Sequence, residues 1–226
     1  AIPWTRPNDN KFWRDADTAQ LKALIDIRYE TFSSRNHDVA FTKVVEDRHF
    51  NPLREWLDAL PEWDGVVRLE NLYIDFLGAN STGYVKAATR KSFVAAVARI
   101  YEPGTKFDSV VVLVGPQGCG KSPIFAKMGK EYYSDSLNLT DMKDKAGAEK
   151  LQGYWLLELG ELAGLKKADI EVVKAFVSRT DDIYRPSYGR TVESHPRQCV
   201  IVGTTNSETG LLRDITGKRH VWPIKG

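Results

Sequence analysis

The chain has 226 residues, 42% of them apolar and 27% charged, which is the balance of a folded protein and not of a disordered or collagen-like one. Lys and Arg number 32 against 30 Asp and Glu, a formal net charge of +2. That excludes a histone-like binder relying on bulk positive charge but leaves room for a local basic strip. No apolar run approaches the ~20 residues of a membrane helix. The start, Ala1-Ile2-Pro3-Trp4, shows no charged stretch leading into an apolar one, so no signal peptide is visible. With two cysteines, Cys119 and Cys199, neither a disulfide framework nor a Cys-rich zinc site can be built. The expected compartment is the cytoplasm, with reduced thiols.

Up to residue 104 the periodicity is helical. Residues 18–29 put Leu21, Leu24 and Ile25 on one face. Asn51-Pro52 reads as an N-cap followed by proline at the first helical position. The helix it opens is expected to bury Leu53, Trp56, Leu57 and Leu60, and Pro61 ends it. Residues 70–77 repeat the pattern with Leu72, Tyr73, Phe76 and Leu77. Residues 84–101 form a longer helix with Val85, Ala88, Phe93, Ala96, Val97 and Ile100 inward, closed by Pro103-Gly104. These segments read as an all-helical lead-in subdomain, 1–104, or else as helices packed directly on the C-terminal domain as one unit.

From 105 to 226 strands and helices alternate. Residues 109–114 are a valine-rich run suited to a strand buried on both faces, and residues 154–157 and 200–203 read likewise. Residues 166–179 form an amphipathic helix with Ile170, Val173, Phe176 and Val177 inward, and residues 221–224 are a last strand. Such alternation predicts an α/β fold, an open and mainly parallel sheet flanked by helices.

The strongest motif is Gly115-Pro116-Gln117-Gly118-Cys119-Gly120-Lys121-Ser122. It fits G-x-x-x-x-G-K-[ST] at each fixed position, between a buried strand and a helix. The glycines let backbone N–H groups turn toward phosphate oxygens, and the following helix adds its positive end. Lys121 is expected to reach the β- and γ-phosphates of ATP, and the Ser122 hydroxyl to ligate Mg²⁺. Pro123 follows, where a further N–H would serve the α-phosphate, and proline has none.

Acids and amides come next in the chain. Glu158 ends an apolar strand with Glu161 three residues on; Glu158 is expected to serve the Mg²⁺ or the attacking water, with Glu161 second. Thr204-Thr205-Asn206 ends the next buried strand, where the Asn206 amide could hold the water or the γ-phosphate. Between these strands Lys174, Arg179, Arg185, Arg190 and Arg197 interleave with Tyr184 and Tyr188. Cations with aromatics suit single-stranded nucleic acid, and residues 183–193 read as a loop or hairpin. Lys174, Arg185, Tyr188 and Arg190 are the DNA-contact candidates. Residues 166–226 carry 11 Lys and Arg against 7 Asp and Glu, so any DNA strip belongs there. Arg219 is the first candidate for an arginine finger and Arg213 the second, in cis or on a neighbouring subunit.

Several segments together resemble the virulence-associated E family. They run from Asn51-Pro52-Leu53-Arg54-Glu55-Trp56-Leu57 and Trp63-Asp64-Gly65-Val66-Val67-Arg68 through Pro103-Gly104-Thr105-Lys106-Phe107-Asp108 and the glycine-rich loop. They continue in order with Glu158-Leu159-Gly160-Glu161-Leu162, Tyr184-Arg185-Pro186-Ser187-Tyr188-Gly189-Arg190, Pro196-Arg197-Gln198-Cys199, Gly203-Thr204-Thr205-Asn206 and Thr216-Gly217-Lys218-Arg219. The likeness covers roughly residues 45 to 224. It implies a phage- or prophage-type ATPase related to superfamily-three helicases and the AAA+ fold, often beside or fused to a primase. It supports Lys121 and Ser122 at the nucleotide, Glu158 and Glu161 as the acidic motif, Asn206 as the sensor and Arg219 as the finger. His220 stands where the family more often has a second Arg, and Pro123 where it more often has Thr.

The expected function is an ATP-hydrolysing motor acting on single-stranded or forked DNA, a protomer of a homo-oligomeric ring, six copies being the guess. The rivals are a nucleotide-gated DNA-binding switch with poor turnover and a small-molecule kinase. The absence of an initiator Met, and an end seven residues after Arg219 with no room for a lid, suggest a piece of a longer protein.

Overall fold

The valine run after Ser109 is the centre of the sheet. In the computed structural model β1 (Val110–Val114) is buried along its whole length. Residues 4, 13–30, 32–160, 162, 166–186, 191–206 and 220–226 are described. Tertiary contacts divide the chain into two units, Ala1–Pro52 and Leu53–Gly226.

The first unit holds α1 (Asp15–Tyr29) and α2 (Ser34–Asp47). The Asp17 carboxylate caps α1 by accepting from the Arg14 backbone N–H at 2.9 Å, and the Ser33 hydroxyl caps α2 by accepting from Asn36 N–H at 3.4 Å. The two helices meet through Lys22–Asp38 at 3.1 Å. Helix α2 is one that the sequence pattern does not single out.

The second unit opens with α3 (Pro52–Asp58, whose first residue falls in the other unit), α4 (Leu72–Leu77) and α5 (Gly83–Tyr101). After β1 come α6 (Lys121–Gly129), β2 (Tyr133–Leu137), α7 (Lys145–Leu151), β3 (Leu156–Leu159) and α8 (Lys167–Val177). Then come β4 (Asp181–Tyr184), β5 (Glu193–Pro196), β6 (Val200–Thr205) and β7 (Val221–Lys225). Five strands form one parallel sheet in the order β2-β3-β6-β1-β7, and β4 and β5 pair antiparallel as a separate hairpin. The mainly parallel α/β sheet expected from the alternation is therefore present.

Strand period explains the two cores. Val111 and Leu113 face one cluster with Tyr73, Ala88, Phe93, Ile100, Phe125 and Leu156. Val110, Val112 and Val114 face the other with Met142, Leu157, Ile170, Val173 and Phe176. Helices thus cover both faces, as a parallel sheet requires. On the outer strand β7, Pro223 lies opposite Val112 of β1.

The division between units falls at Pro52, not at residue 104. The reason is packing. Helix α5 buries Ala88, Phe93, Ala96 and Ile100 in the sheet's own core. Arg99, 2% exposed, donates to the carbonyls of Cys199, Thr105 and Phe107 at 2.7, 2.9 and 2.9 Å. Trp155 Nε1 donates to the Ala96 carbonyl at 2.9 Å. Two inward assignments also change: Leu60 and Phe76 are 49% and 73% exposed. Leu60 lies beyond the end of α3, which stops at Asp58, and Phe76 lies on the outer face of the short helix α4.

Candidate nucleotide site

Two glycines shape the loop between β1 and α6. Gly118 and Gly120 have φ of 84° and 94°, the left-handed region that side chains avoid. Gly120 is also the N-cap of α6, so the chain turns straight into the helix at Lys121. Lys121 is buried, and its amine donates to the Gly115 and Pro116 carbonyls at 2.7 Å each and to Asn206 Oδ1 at 3.0 Å. The amine is thereby held over the loop and tied to the end of β6. Cys119 Sγ lies 3.7 Å from it.

The sheet order places β6 between β1 and β3, so three neighbouring strands end side by side. Period 2 puts Glu158 on the same face as Leu156, and Thr204 on the same face as Val200 and Val202, toward α6. Ser122, in the first turn of α6, meets them there. The Ser122 and Thr204 hydroxyls both donate to Glu158 Oε1 at 2.6 Å. The Tyr133 hydroxyl donates to Glu158 Oε2 at 2.5 Å. Glu158 is 3% exposed, so these hydroxyls stand in for water around a buried carboxylate. Burial raises the Tyr133 phenol above its usual pKa, and the adjacent carboxylate pushes the same way.

A cavity of about 690 Å³ opens over this cluster. Gln117, Gly118, Gly120, Lys121, Ser122, Pro123, Glu158 and Asn206 line it, with Asp135, Thr204 and Thr205. Sequence-derived residues from three separate segments therefore share one concavity. Sequence reasoning misses Tyr133, Asp135 and the Thr204 contact. Tyr133 and Asp135 lie on β2, whose sequence Tyr-Ser-Asp-Ser-Leu has no apolar run to announce a strand.

Among the described residues no group of three or more His, Cys, Asp or Glu side chains could cage a metal. The oxygen pair Ser122 and Glu158 nevertheless fits Mg²⁺, which prefers oxygen donors and is bound through few protein ligands plus phosphates and water.

The basic segment divides. The hairpin expected near 183–193 is present as β4 and β5. Arg185, just beyond β4, is exposed. Lys174 pairs with Glu171 at 2.9 Å, leaving its side chain 18% exposed. Tyr184 is buried and stacked on His195 with ring centroids 4.4 Å apart, so it is no platform for bases. Arg197 is buried too, pairing with Asp182 at the hairpin foot. Glu161, Tyr188, Arg190, Arg213 and Arg219 lie outside the described residues. His220 Nδ1 is 2.8 Å from the Asp108 carbonyl, at the N-terminal ends of β1 and β7.

The family model of the virulence-associated protein E-like domain matches residues 57–226. The chain belongs to this family. The matched stretch of this VapE-like domain holds the glycine-rich loop, Glu158, Asn206 and the hairpin. No curated protein matches the sequence. Among solved structures, the A form apo structure of the NrS-1 C terminal region is 16% identical, over 70% of this chain and 37% of that one, with a TM-score of 0.47. A second apo structure of that region gives 16% identity, the same coverage and a TM-score of 0.48. The VapE-like domain thus aligns with well under half the length of those chains. No helix among its described residues is long and apolar enough to cross a membrane.

Proposed function

We propose that this VapE-like domain is an ATP-hydrolysing motor domain acting on DNA, a P-loop, AAA+-like protomer of a homo-oligomeric ring in phage or mobile-element replication, working beside a primase. The observation that carries it is the convergence of Lys121, Ser122, Glu158 and Asn206 on one cavity at the C-terminal ends of adjacent parallel strands. That is where open α/β sheets bind ligands.

In this reading the loop N–H groups and the first turn of α6 hold the phosphates, and Lys121 exchanges loop carbonyls for phosphate oxygens. Ser122 and Glu158 hold Mg²⁺, which when bound neutralises charge developing between the β- and γ-phosphates. Asn206, already tied to the Lys121 amine, senses the γ-phosphate. Hydrolysis is direct attack by a positioned water, with no covalent enzyme intermediate. Arg185, exposed just beyond β4, contacts the DNA strand.

The arginine finger, Arg219 first and Arg213 second, acts in cis or on a neighbouring copy.

ATP turnover with and without single-stranded DNA, measured beside the mass of the assembly, tests this. Stimulation by DNA, abolished in Glu158→Gln, is expected. An assembled protein with no DNA-stimulated turnover refutes the motor and favours the rival switch. The switch draws support from Pro123, which lines the cavity without an N–H to offer.

A further inference from the structure

Strand β2 carries a residue to which the proposed mechanism gives no role. The parallel register pairs Tyr133 with Leu156 of β3, so both side chains leave the same face of the sheet. Glu158 leaves that face two residues further on, about 7 Å along the strand. A phenol spans that distance, and its hydroxyl donates to Glu158 Oε2 at 2.5 Å. The other oxygen, Oε1, accepts from Ser122 and Thr204. The two oxygens are thus differentiated: Oε1 faces the residue that ligates the metal, and Oε2 faces a phenol.

We propose that Tyr133 is a positioning residue that dedicates Glu158 to the magnesium side of the site, holding Oε1 toward Ser122 and keeping Oε2 from activating water. The inference rests on the proposed nucleotide site. A general base needs a lone pair aimed at the water it deprotonates. Oε2 instead accepts a short bond from a half-buried phenol. Activation of the attacking water then falls to a second acid, which divides the roles that the sequence left open between Glu158 and Glu161.

The test uses the full chain, a fluorescent non-hydrolysable ATP analogue, and binding with Mg²⁺ and with EDTA. Partners that orient metal ligands are worth roughly 10-fold or more in metal affinity. Tyr133→Phe should therefore keep its EDTA affinity within about twofold while the gain in affinity from Mg²⁺ falls roughly 10-fold. The unchanged EDTA value certifies the fold. Mn²⁺ titration of the analogue complex by electron paramagnetic resonance should show the same loss. A Tyr133→Phe protein with the full gain from Mg²⁺ overturns the inference and leaves the nucleotide site standing. An EDTA affinity that falls as far as the Mg²⁺ affinity also overturns it, because the phenol would then support the loop or the fold and not the metal side of Glu158. If wild-type protein binds the analogue no more tightly than Lys121→Ala does, the nucleotide site itself is refuted and the inference falls with it.

Discussion

Replacing Arg197 tests how the foot of the hairpin is held. The guanidinium is 3% exposed and donates to Asp182 in parallel, Nε to Oδ2 at 2.7 Å and Nη2 to Oδ1 at 2.9 Å. A third bond reaches the Phe176 carbonyl at 2.6 Å, and the charge sits 4.5 Å from the Phe176 ring centroid. Arg197→Met keeps most of the stem and removes these donors. Asp182 is then left buried, facing the half-exposed Arg179 at 3.8 Å. Breaking a buried pair by removing one partner costs about 3–5 kcal/mol, and the abandoned carbonyl adds roughly 1 kcal/mol. At ~2–4 °C per kcal/mol for a unit of this size, the melting temperature should fall by roughly 8–24 °C. Arg197→Met combined with Asp182→Leu removes the orphaned charge and should regain most of the loss, since apolar replacement of a buried pair is often neutral or better. Denaturant unfolding of both variants reads the energies. A loss below about 1 kcal/mol for the single variant, or a double variant no more stable than the single, refutes the reasoning.

Lys121→Ala should weaken ATP binding by about 2–3 kcal/mol, the worth of a charged hydrogen bond, with melting little changed; isothermal titration reads the affinity and a thermal melt the fold. Pro123→Thr restores a backbone N–H at the cavity wall and should tighten nucleotide by about 1 kcal/mol, read in the same titration. The two thiols should part in reactivity. Burial pushes the Cys199 thiol up to about 11, from about 9, whereas Cys119 sits half-buried in the loop. At pH 8 a maleimide should label Cys119 first, ATP should slow that labelling, and Cys199 should react only on unfolding, as peptide mapping would show. Because the folded protein holds the Cys199 proton more tightly, its contribution to stability is complete below about pH 9. It is lost as pH rises toward about 11, which alkaline unfolding curves would register.

Much of the site was legible because its chemistry is local. The loop is a contiguous motif, and Glu158 and Asn206 announce themselves as polar residues closing apolar strands. What was not legible depends on partners far away in sequence. Tyr133 matters only because β2 pairs with β3, 23 residues on. Arg197 and Tyr184 read as free basic and aromatic groups, because nothing beside them shows that Asp182 and His195 take them inward. The boundary at 104 had a local cue, Pro103-Gly104, whereas α5 is joined to the sheet by distant partners such as Arg99 and Cys199, 100 residues apart.

Pro223 bears on how copies of the domain can meet. It sits on β7, the outer strand beside β1. A proline is accommodated there with its missing donor turned outward. Another strand adding at that edge would find a carbonyl unanswered at this level, so sheet-to-sheet joining through β7 is disfavoured. Neighbours are left with helix and loop surfaces on that side. Such contacts slip and re-form without unzipping a backbone ladder, which suits the joints of the ring proposed above.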